Sequence, residues 1–389
     1  MVHRLKQLRL ARGLSLEDLA AEMGGIVTKQ ALSKYELGLS KPSLVVLNRL
    51  AQALGVKVAY LWSEPSIDCR FIAYRKGTGL AKTEEQRVEA VACQMLEDRV
   101  RLQHMIQSQV KVDLPIKGFE VEAPEDTELF AKILRNEWNL GLGAIPSVTS
   151  TLEDHYVHVF EVEASPRFDG ISAVAYDSEE NIAAAAVISR KSLPGGRQRL
   201  NLAHELGHLV LNVPEDIDEE KAAFRFAGAF LAPDETLFNE FGRRRSLIQS
   251  AELFLMKQKY GMSIQSLVYR LHDLGIISSQ HYRQWWMTIN REGWKKKEPF
   301  ELEPERSQWL KKTVLRSLSE GLITKGEAMK ALGEPIDAQE PITLVERQAF
   351  LKLPLEERRK IMARQAKEMS AEYGRGKAED LETGEIVEY

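Results

Sequence analysis

Apolar and polar residues alternate over the first 66 positions with a spacing that predicts four or five short amphipathic helices. Ser15, Thr28 and Pro42 mark the starts of the second, third and fourth helices. Gly25 ends the second helix and Gly38 ends the third. The sequence therefore predicts a small all-α bundle. Its expected inward positions are Leu5, Leu8, Leu10, Leu16, Leu19, Ala20, Met23, Leu47, Leu50, Ala51 and Leu54.

Beyond a linker at Glu64–Ser66, the pattern predicts a charged amphipathic helix over 81–111 that connects, packs or dimerises the chain. A helix from Asp126 and three short strands, at 156–162, 171–177 and 183–189, follow. The predicted fold is mainly α with a small α+β centre. Its domains are the bundle at 1–66, a helical connector at 67–118, the α+β domain at 119–300 and a charged helical tail at 301–389.

Composition places the chain among ordinary soluble proteins, because 44% of its 389 residues are hydrophobic and its formal net charge is −4. The first 66 residues carry nine basic and five acidic side chains, which favours an anionic partner for that region. We find neither an apolar signal segment nor a stretch of membrane-spanning length. Cys69 and Cys93 are the only cysteines, so a cytoplasmic location without membrane contact is expected.

The polar face of the third predicted helix indicates a nucleic-acid reader. Two short helices around a tight turn suit insertion of the second helix into a major groove. Glutamine can read a base edge, and Lys, Ser and Thr can hold phosphate or base. The alternative is a solvated polar face with no partner. The candidate DNA-binding residues are Thr28, Lys29, Gln30, Ser33 and Lys34.

The sequence of the predicted N-terminal bundle resembles a known family of DNA-binding domains. "LRLARGLSLEDLAAEMG…VTKQALSKYELGLSKPSLVVLNRLAQALGV" resembles the XRE (lambda-repressor-like) helix-turn-helix family over its whole length, most specifically at "SKYELG" and "KPS". The resemblance implies a sequence-specific reader of a duplex-DNA operator. Members usually bind palindromic operators as homodimers.

The stretch "RLNLAHELGHLVLN", at 199–212, predicts a helix that carries a metal site. His204 and His208 are four residues apart and share one helix face, so both imidazoles can reach one ion. Glu205 lies next to them and can accept a proton from a water whose pKa a zinc ion lowers to about 7. The alternative is a core helix that happens to contain two histidines. Gly207 indicates a close approach of backbone or substrate.

A zinc site needs a third protein ligand, and the carboxylates downstream are the better candidates. Glu220 shares the face of Ala223 and Phe226 on the next predicted helix, so it would point inward toward the first helix. Glu219 lies about 100° away around that helix and is the second choice. Five further histidines are interpreted as packing or surface residues. They are His104, His155, His158, His272 and His281.

A second resemblance covers roughly residues 120–300. "FDGISA", "RQRLNLAHELGHLVLN" and the pattern E-x-x-A-x-x-F-A-x-x-F-L-x-P resemble the ImmA/IrrE family of metallopeptidases. The resemblance implies Zn²⁺ held by His204, His208 and Glu220, with Glu205 as general acid and base. Family members resemble proteases that cut a partner repressor, after stress or during excision of mobile elements.

The tail at 341–389 allows two interpretations, a solvated segment or one that occupies a groove. It resembles small antitoxins that neutralise ribonuclease toxins. The apolar tail residues are Phe350, Leu351, Leu353, Leu355, Ile361 and Met362.

Two hypotheses follow for the chain: a DNA-bound zinc endopeptidase that cleaves a regulatory protein, or a toxin-binding antitoxin and autorepressor whose zinc is structural. A third hypothesis is a helical protein without metal.

Overall fold

The structure is a computed structural model. It describes residues 2–73, 80–106, 112, 114–336, 353–354, 357–360 and 362–363. The chain divides into two compact units, Met1–Thr313 and Val314–Tyr389.

The first unit begins with a five-helix bundle, called the head here, which confirms the predicted all-α region. Ser15, Thr28 and Ser43 cap the second, third and fourth helices by accepting a backbone N–H in the first turn. A buried cluster that includes Leu5, Leu19 and Leu50 forms the core of the head. The helices are α1 (Val2–Ala11), α2 (Leu16–Glu22), α3 (Lys29–Glu36), α4 (Leu44–Ala53) and α5 (Val58–Trp62).

A four-stranded mixed sheet forms the centre and confirms the small α+β region. Its strand order is β1-β4-β5-β3, with β3 parallel to β5 and the other neighbours antiparallel. The strand β1 was not predicted, and it lies in the stretch expected to be a helical connector. A separate two-stranded parallel pair joins β2 to β6. The strands are β1 (Asp68–Ala73), β2 (Phe119–Glu120), β3 (Val157–Val162), β4 (Gly170–Tyr176), β5 (Ile182–Arg190) and β6 (Leu211–Asn212).

Helices cover both faces of the large sheet. On one face, Leu96 and its neighbours on α6 (Lys82–Ile106) pack against Ala173 and Ala184 of the sheet. On the other face, Leu202 of α9 (Gly195–Val210) packs among the alternate positions of β4 and β5. Both faces are buried because the alternating side chains of each central strand serve two cores. The apolar face of α6 is thus occupied within the chain.

Further helices complete the described part of the first unit. Two of them, α7 and α10, pack against each other, and α10 also packs against α9. These helices are α7 (Asp126–Glu137), α8 (Val148–Asp154), α10 (Glu219–Leu231), α11 (Asp234–Phe241), α12 (Ser250–Tyr260), α13 (Ile264–Asp273) and α14 (Ser279–Arg291).

The described part of the C-terminal region contains two helices, and residues 357–360 are also helical. The predicted helical pair is α15 (Trp309–Ser319) and α16 (Lys325–Leu332). Of the apolar tail residues, Leu353 is half-buried and Met362 is 60% exposed. The other four, Phe350, Leu351, Leu355 and Ile361, lie outside the described residues.

One local expectation was wrong at the start of α9. The sequence LPGGRQ at 193–198 predicts a turn, but the helix already begins at Gly195, with Pro194 as its N-cap. A Cβ on Gly195 would lie 2.3 Å from the carbonyl oxygen of Glu303, and the Gly195 N–H donates to the carbonyl oxygen of Leu302. Glycine here permits a close backbone approach rather than a turn. Within the described residues, no helix combines the length and apolar character needed to cross a membrane.

Candidate metal centre and nucleic-acid interface

The candidate metal centre lies where α9 crosses α10. A Cβ on Gly207 would lie 3.2 Å from both the Cα of Ala223 and the Cδ1 of Phe226. The absence of a side chain at Gly207 therefore lets the two helices approach closely. The expected close approach at Gly207 is confirmed, and the neighbour is the backbone of α10. This contact brings the histidines of one helix to the first turn of the other.

The structure brings the imidazoles of His204 and His208 together with the carboxylate of Glu220. The Nε2 atoms of the two histidines are 3.1 Å apart. Glu220 Oε2 lies 3.5 Å from His204 Nε2, and Glu220 Oε1 lies 3.4 Å from His208 Nε2. Ligands about 2.0–2.1 Å from a tetrahedral zinc ion stand roughly 3.3 Å apart. The donor set and its spacing thus fit a zinc ion.

Glu219 lies on the other side of His208. Its Oε1 is 3.4 Å from His208 Nδ1 and 3.2 Å from Lys117 Nζ. A carboxylate on the second imidazole nitrogen is the usual partner of a metal-bound histidine. The geometry therefore favours Glu220 as the ligand and gives Glu219 the task of orienting His208.

These contacts shift the pKa values of His208 and Glu219. Burial disfavours the charged form of His208, but hydrogen bonds to Glu219 and Glu220 more than offset it and raise the pKa of His208 to about 9. The hydrogen bond to His208, together with the charge of Lys117 and against partial burial, lowers the pKa of Glu219 to about 2. The site thus attracts positive charge.

His204 is held by packing. Its ring centroid lies 4.0 Å from that of Phe224 on α10, and the side chain is 3% exposed. Its Nδ1 has no hydrogen-bond partner among the described residues. The Phe224 ring restricts rotation of the imidazole, so Nε2 stays directed at the other ligands.

The carboxylate of Glu205 faces strand β4. The Ser172 hydroxyl lies 2.7 Å from Glu205 Oε2, and both residues are buried. A Cβ on Gly170 would lie only 2.7 Å from Glu205 Oε1, so a side chain at this position would collide with the carboxylate. Ser172 fixes one oxygen of Glu205, and Gly170 leaves room for the other.

Sequence reasoning did not assign roles to Ser172, Gly170, Phe224 or Lys117. The first two lie within "FDGISA", a segment quoted only for its resemblance. Of the packing histidines, His158 is fully buried and contacts Gln103 Oε1 at 2.5 Å.

His155, interpreted from the sequence as a packing or surface residue, is the C-cap of α8, one residue before Tyr156, which has a positive φ of 60°. Its ring stacks on Trp138 with centroids 4.1 Å apart. Like His158, it lies outside the group of three ligands.

The candidate DNA-binding residues lie on α3 and its N-cap. The Thr28 side chain accepts from the Ala31 N–H, and Ser33 is half-buried. Lys29 forms an exposed ion pair with Glu17 of α2. The remaining two candidates, Gln30 and Lys34, are exposed. The structure thus places the candidates on one short helix, most of them accessible to a partner.

A buried ion pair fixes α3 within the head. Arg9 of α1 donates from Nε and Nη2 to the two carboxylate oxygens of Glu36, at 2.7 and 2.9 Å. Such a bidentate contact defines orientation as well as distance. It holds the exposed face of α3 in a fixed direction.

Comparisons with known proteins match both the head and the central domain. Residues 5–61 match the helix-turn-helix family, and residues 171–272 match the IrrE N-terminal-like domain of the M78 peptidase family. The chain is 38% identical over 58 residues to an SPbeta prophage-derived uncharacterized HTH-type transcriptional regulator, YonR, of Bacillus subtilis (strain 168). That alignment covers 15% of this chain and about half, 52%, of the relative. The chain carries an XRE-type helix-turn-helix domain followed by an IrrE-like peptidase domain.

Proposed function

We propose that the chain is a DNA-binding transcription regulator whose central domain is a zinc-dependent endopeptidase. The observation that carries the proposal is the convergence of His204, His208 and Glu220, with Glu205 held beside them. A core helix that merely contained two histidines would not need a carboxylate from a second helix within 3.5 Å of both Nε2 atoms. The M78 match over 171–272 supports a metal-dependent peptidase.

Each residue of the centre has a separate task in this proposal. A zinc ion held by His204, His208 and Glu220 would polarise the scissile carbonyl and lower the pKa of a water to about 7. Glu205 accepts the proton of the attacking water and delivers it to the leaving amine. The Ser172 hydroxyl donates to Glu205 Oε2, which leaves Oε1 to take the proton.

In the head, we propose that α3 enters the major groove of an operator. Gln30 would read a base edge, while Thr28, Lys29, Ser33 and Lys34 would contact phosphate or bases. Lys29 must exchange its ion pair with Glu17 for a phosphate, a small cost at an exposed pair. As in the XRE family, two copies of the chain would bind a palindromic operator.

The protein partner in this proposal is a regulatory protein or toxin encoded nearby, in a toxin–antitoxin or stress-response operon. The resemblance to repressor-cutting metallopeptidases supports a regulatory substrate. The similarity of the head to a prophage-derived regulator supports an origin in a mobile element.

The test uses the product of the neighbouring gene as bait. It is co-expressed with the wild-type chain or with Glu205→Gln, which keeps the zinc ligands, and the purified bait is analysed by mass spectrometry. We expect discrete bait fragments with the wild type only. An intact stoichiometric complex in both cases would contradict the peptidase and support an antitoxin that acts by binding.

A further inference from the structure

The head is joined to the rest of the first unit by one buried charge pair. Arg4 of α1 is 2% exposed and bonds both carboxylate oxygens of Glu97 on α6. Glu97 Oε1 also accepts from the backbone N–H of Ser66 at 2.9 Å and from its hydroxyl at 3.1 Å. Burial opposes ionisation of Glu97, but these hydrogen bonds hold its pKa below its usual range. Docking of the head therefore depends on the position of this carboxylate.

The only two cysteines of the chain lie beside this contact. Cys69 lies on β1 and Cys93 lies on α6, and the interaction with Cys93, together with burial, raises the pKa of the Cys69 thiol. Cys93 lies four residues before Glu97, so both side chains project from the same face of α6. The two thiols line one cavity of about 230 Å³. Its other lining residues are Gln7 of the head, Pro65, Ile67 and Glu97.

The location of the pair differs from that of ordinary core cysteines. A free cysteine is usually fully buried and acts as a small apolar side chain. Cys69 and Cys93 are each only half-buried. One water molecule occupies about 30 Å³ in the liquid, so the cavity has room for a small oxidant as well as water.

We propose that Cys69 and Cys93 are a redox-active pair that a hydroperoxide converts into an intramolecular disulfide, and that closure of this bond displaces Glu97 from Arg4 and Ser66. The proposal concerns the junction of the head and does not depend on peptidase activity or on DNA binding.

The disulfide forms in two steps. One cysteine, as its thiolate, attacks one oxygen of the hydroperoxide, the O–O bond breaks, and an alcohol leaves after taking up a proton. The other cysteine then attacks the sulfenic sulfur, its proton leaves with the hydroxide as water, and the S–S bond forms. Two thiols are oxidised while one hydroperoxide is reduced.

In this proposal, closure of the bond draws the helix toward the strand. A disulfide brings its sulfurs to about 2.05 Å, roughly 1.5 Å closer than two sulfurs in van der Waals contact. Because Glu97 lies one turn along α6 from Cys93, the shift is transmitted to the carboxylate that Arg4 and Ser66 share. Hydrogen bonds weaken steeply with such misalignment.

The test treats the reduced full-length protein with hydrogen peroxide and compares it with the untreated protein. Peptide mass spectrometry is expected to show a Cys69–Cys93 cross-link that dithiothreitol reverses. Hydrogen exchange of the segment 63–67, which contains the Ser66 amide bonded to Glu97, should become roughly tenfold faster after oxidation, since a charge-assisted hydrogen bond is lost.

Single variants separate the two sulfurs. In Cys69→Ser and in Cys93→Ser, peroxide should leave a sulfenic acid on the remaining cysteine, and dimedone traps it. The double variant Cys69→Ser/Cys93→Ser should fold as judged by circular dichroism. Peroxide should not change its hydrogen exchange at 63–67. The double alanine variant is the substitute if serine disturbs folding.

Three results would overturn the inference. Thiols that survive a peroxide exposure sufficient to oxidise free glutathione would show that the pair is inert. A disulfide between chains would show that the cavity does not direct the reaction. A Cys69–Cys93 disulfide without faster exchange at 63–67 would show that the pair is uncoupled from the head.

Discussion

The head and the metal centre present their functional residues in opposite ways. Gln30 and Lys34 are exposed on a single short helix, whereas His204, Glu205 and His208 are between 3% and 6% exposed. The head can therefore change its recognition residues without changing its core. At the centre, these three buried side chains also pack against their neighbours, so function and stability are coupled there.

The largest expected effect tests the buried site. Glu205→Gln removes the proton acceptor but keeps the shape of the side chain, and it should lower the rate of bait cleavage about 10²–10⁴-fold. DNA binding by the same variant should not change, because the head contributes no residue to the centre. Cleavage is measured with purified bait, and DNA binding with a duplex that the wild type selects from a random library. A variant that cleaves at the wild-type rate would contradict the role of Glu205.

The next prediction sharpens the distinction between the two neighbouring glutamates. Glu219→Gln leaves the three ligands in place but weakens the contact with His208 Nδ1, so zinc affinity should fall roughly 10–100-fold. Competition with a chelator of known affinity measures this. Glu220→Gln alters a ligand and should lower zinc affinity further. Glu215 is exposed, and Glu215→Gln should leave zinc affinity unchanged. A larger loss from Glu219→Gln than from Glu220→Gln would reverse the assignment.

A third variant tests the coupling of stability to the site. Gly207→Ala places a methyl group against Ala223 and should lower the free energy of unfolding by about 1–3 kcal/mol, because the two helices must separate. Zinc affinity should fall as well. Gly141→Ala is a poor control because of its positive φ, so Gly326→Ala, which has open space around it, serves instead. Equal stability of Gly207→Ala and the wild type would show that α9 and α10 tolerate separation.

The smallest effect concerns the exposed helix. Gln30→Ala should weaken binding to the selected duplex by roughly tenfold and relax its sequence preference at one position, whereas Lys34→Ala should weaken all duplexes to a similar extent. Melting temperature and zinc content should stay unchanged for both. Anisotropy titrations at several salt concentrations measure the affinities. A loss of zinc from Gln30→Ala would contradict the separation of the two sites.

Features that depend on local spacing could be predicted from the sequence, whereas contacts between distant residues could not. The helices of the head, the three strands at 156–189 and the helix of His204 and His208 follow from local spacing, and Glu220 was chosen by its position on a predicted helix face. Ser172 could not be found this way, because its contact with Glu205 joins residues 33 positions apart in sequence. Likewise, β1 belongs to the sheet through pairing with β4, and Lys117 reaches Glu219 across 102 positions. Periodicity predicts elements, but such contacts depend on how the elements pack.

The most direct test of the central claim is the zinc content of three purified full-length proteins. The wild type and Glu205→Gln should each hold about one zinc ion per chain after dialysis, since both keep the three ligands. The double variant His204→Ala/His208→Ala should hold none while keeping a helical circular dichroism spectrum. Equal zinc content in all three proteins would contradict a metal centre at His204, His208 and Glu220.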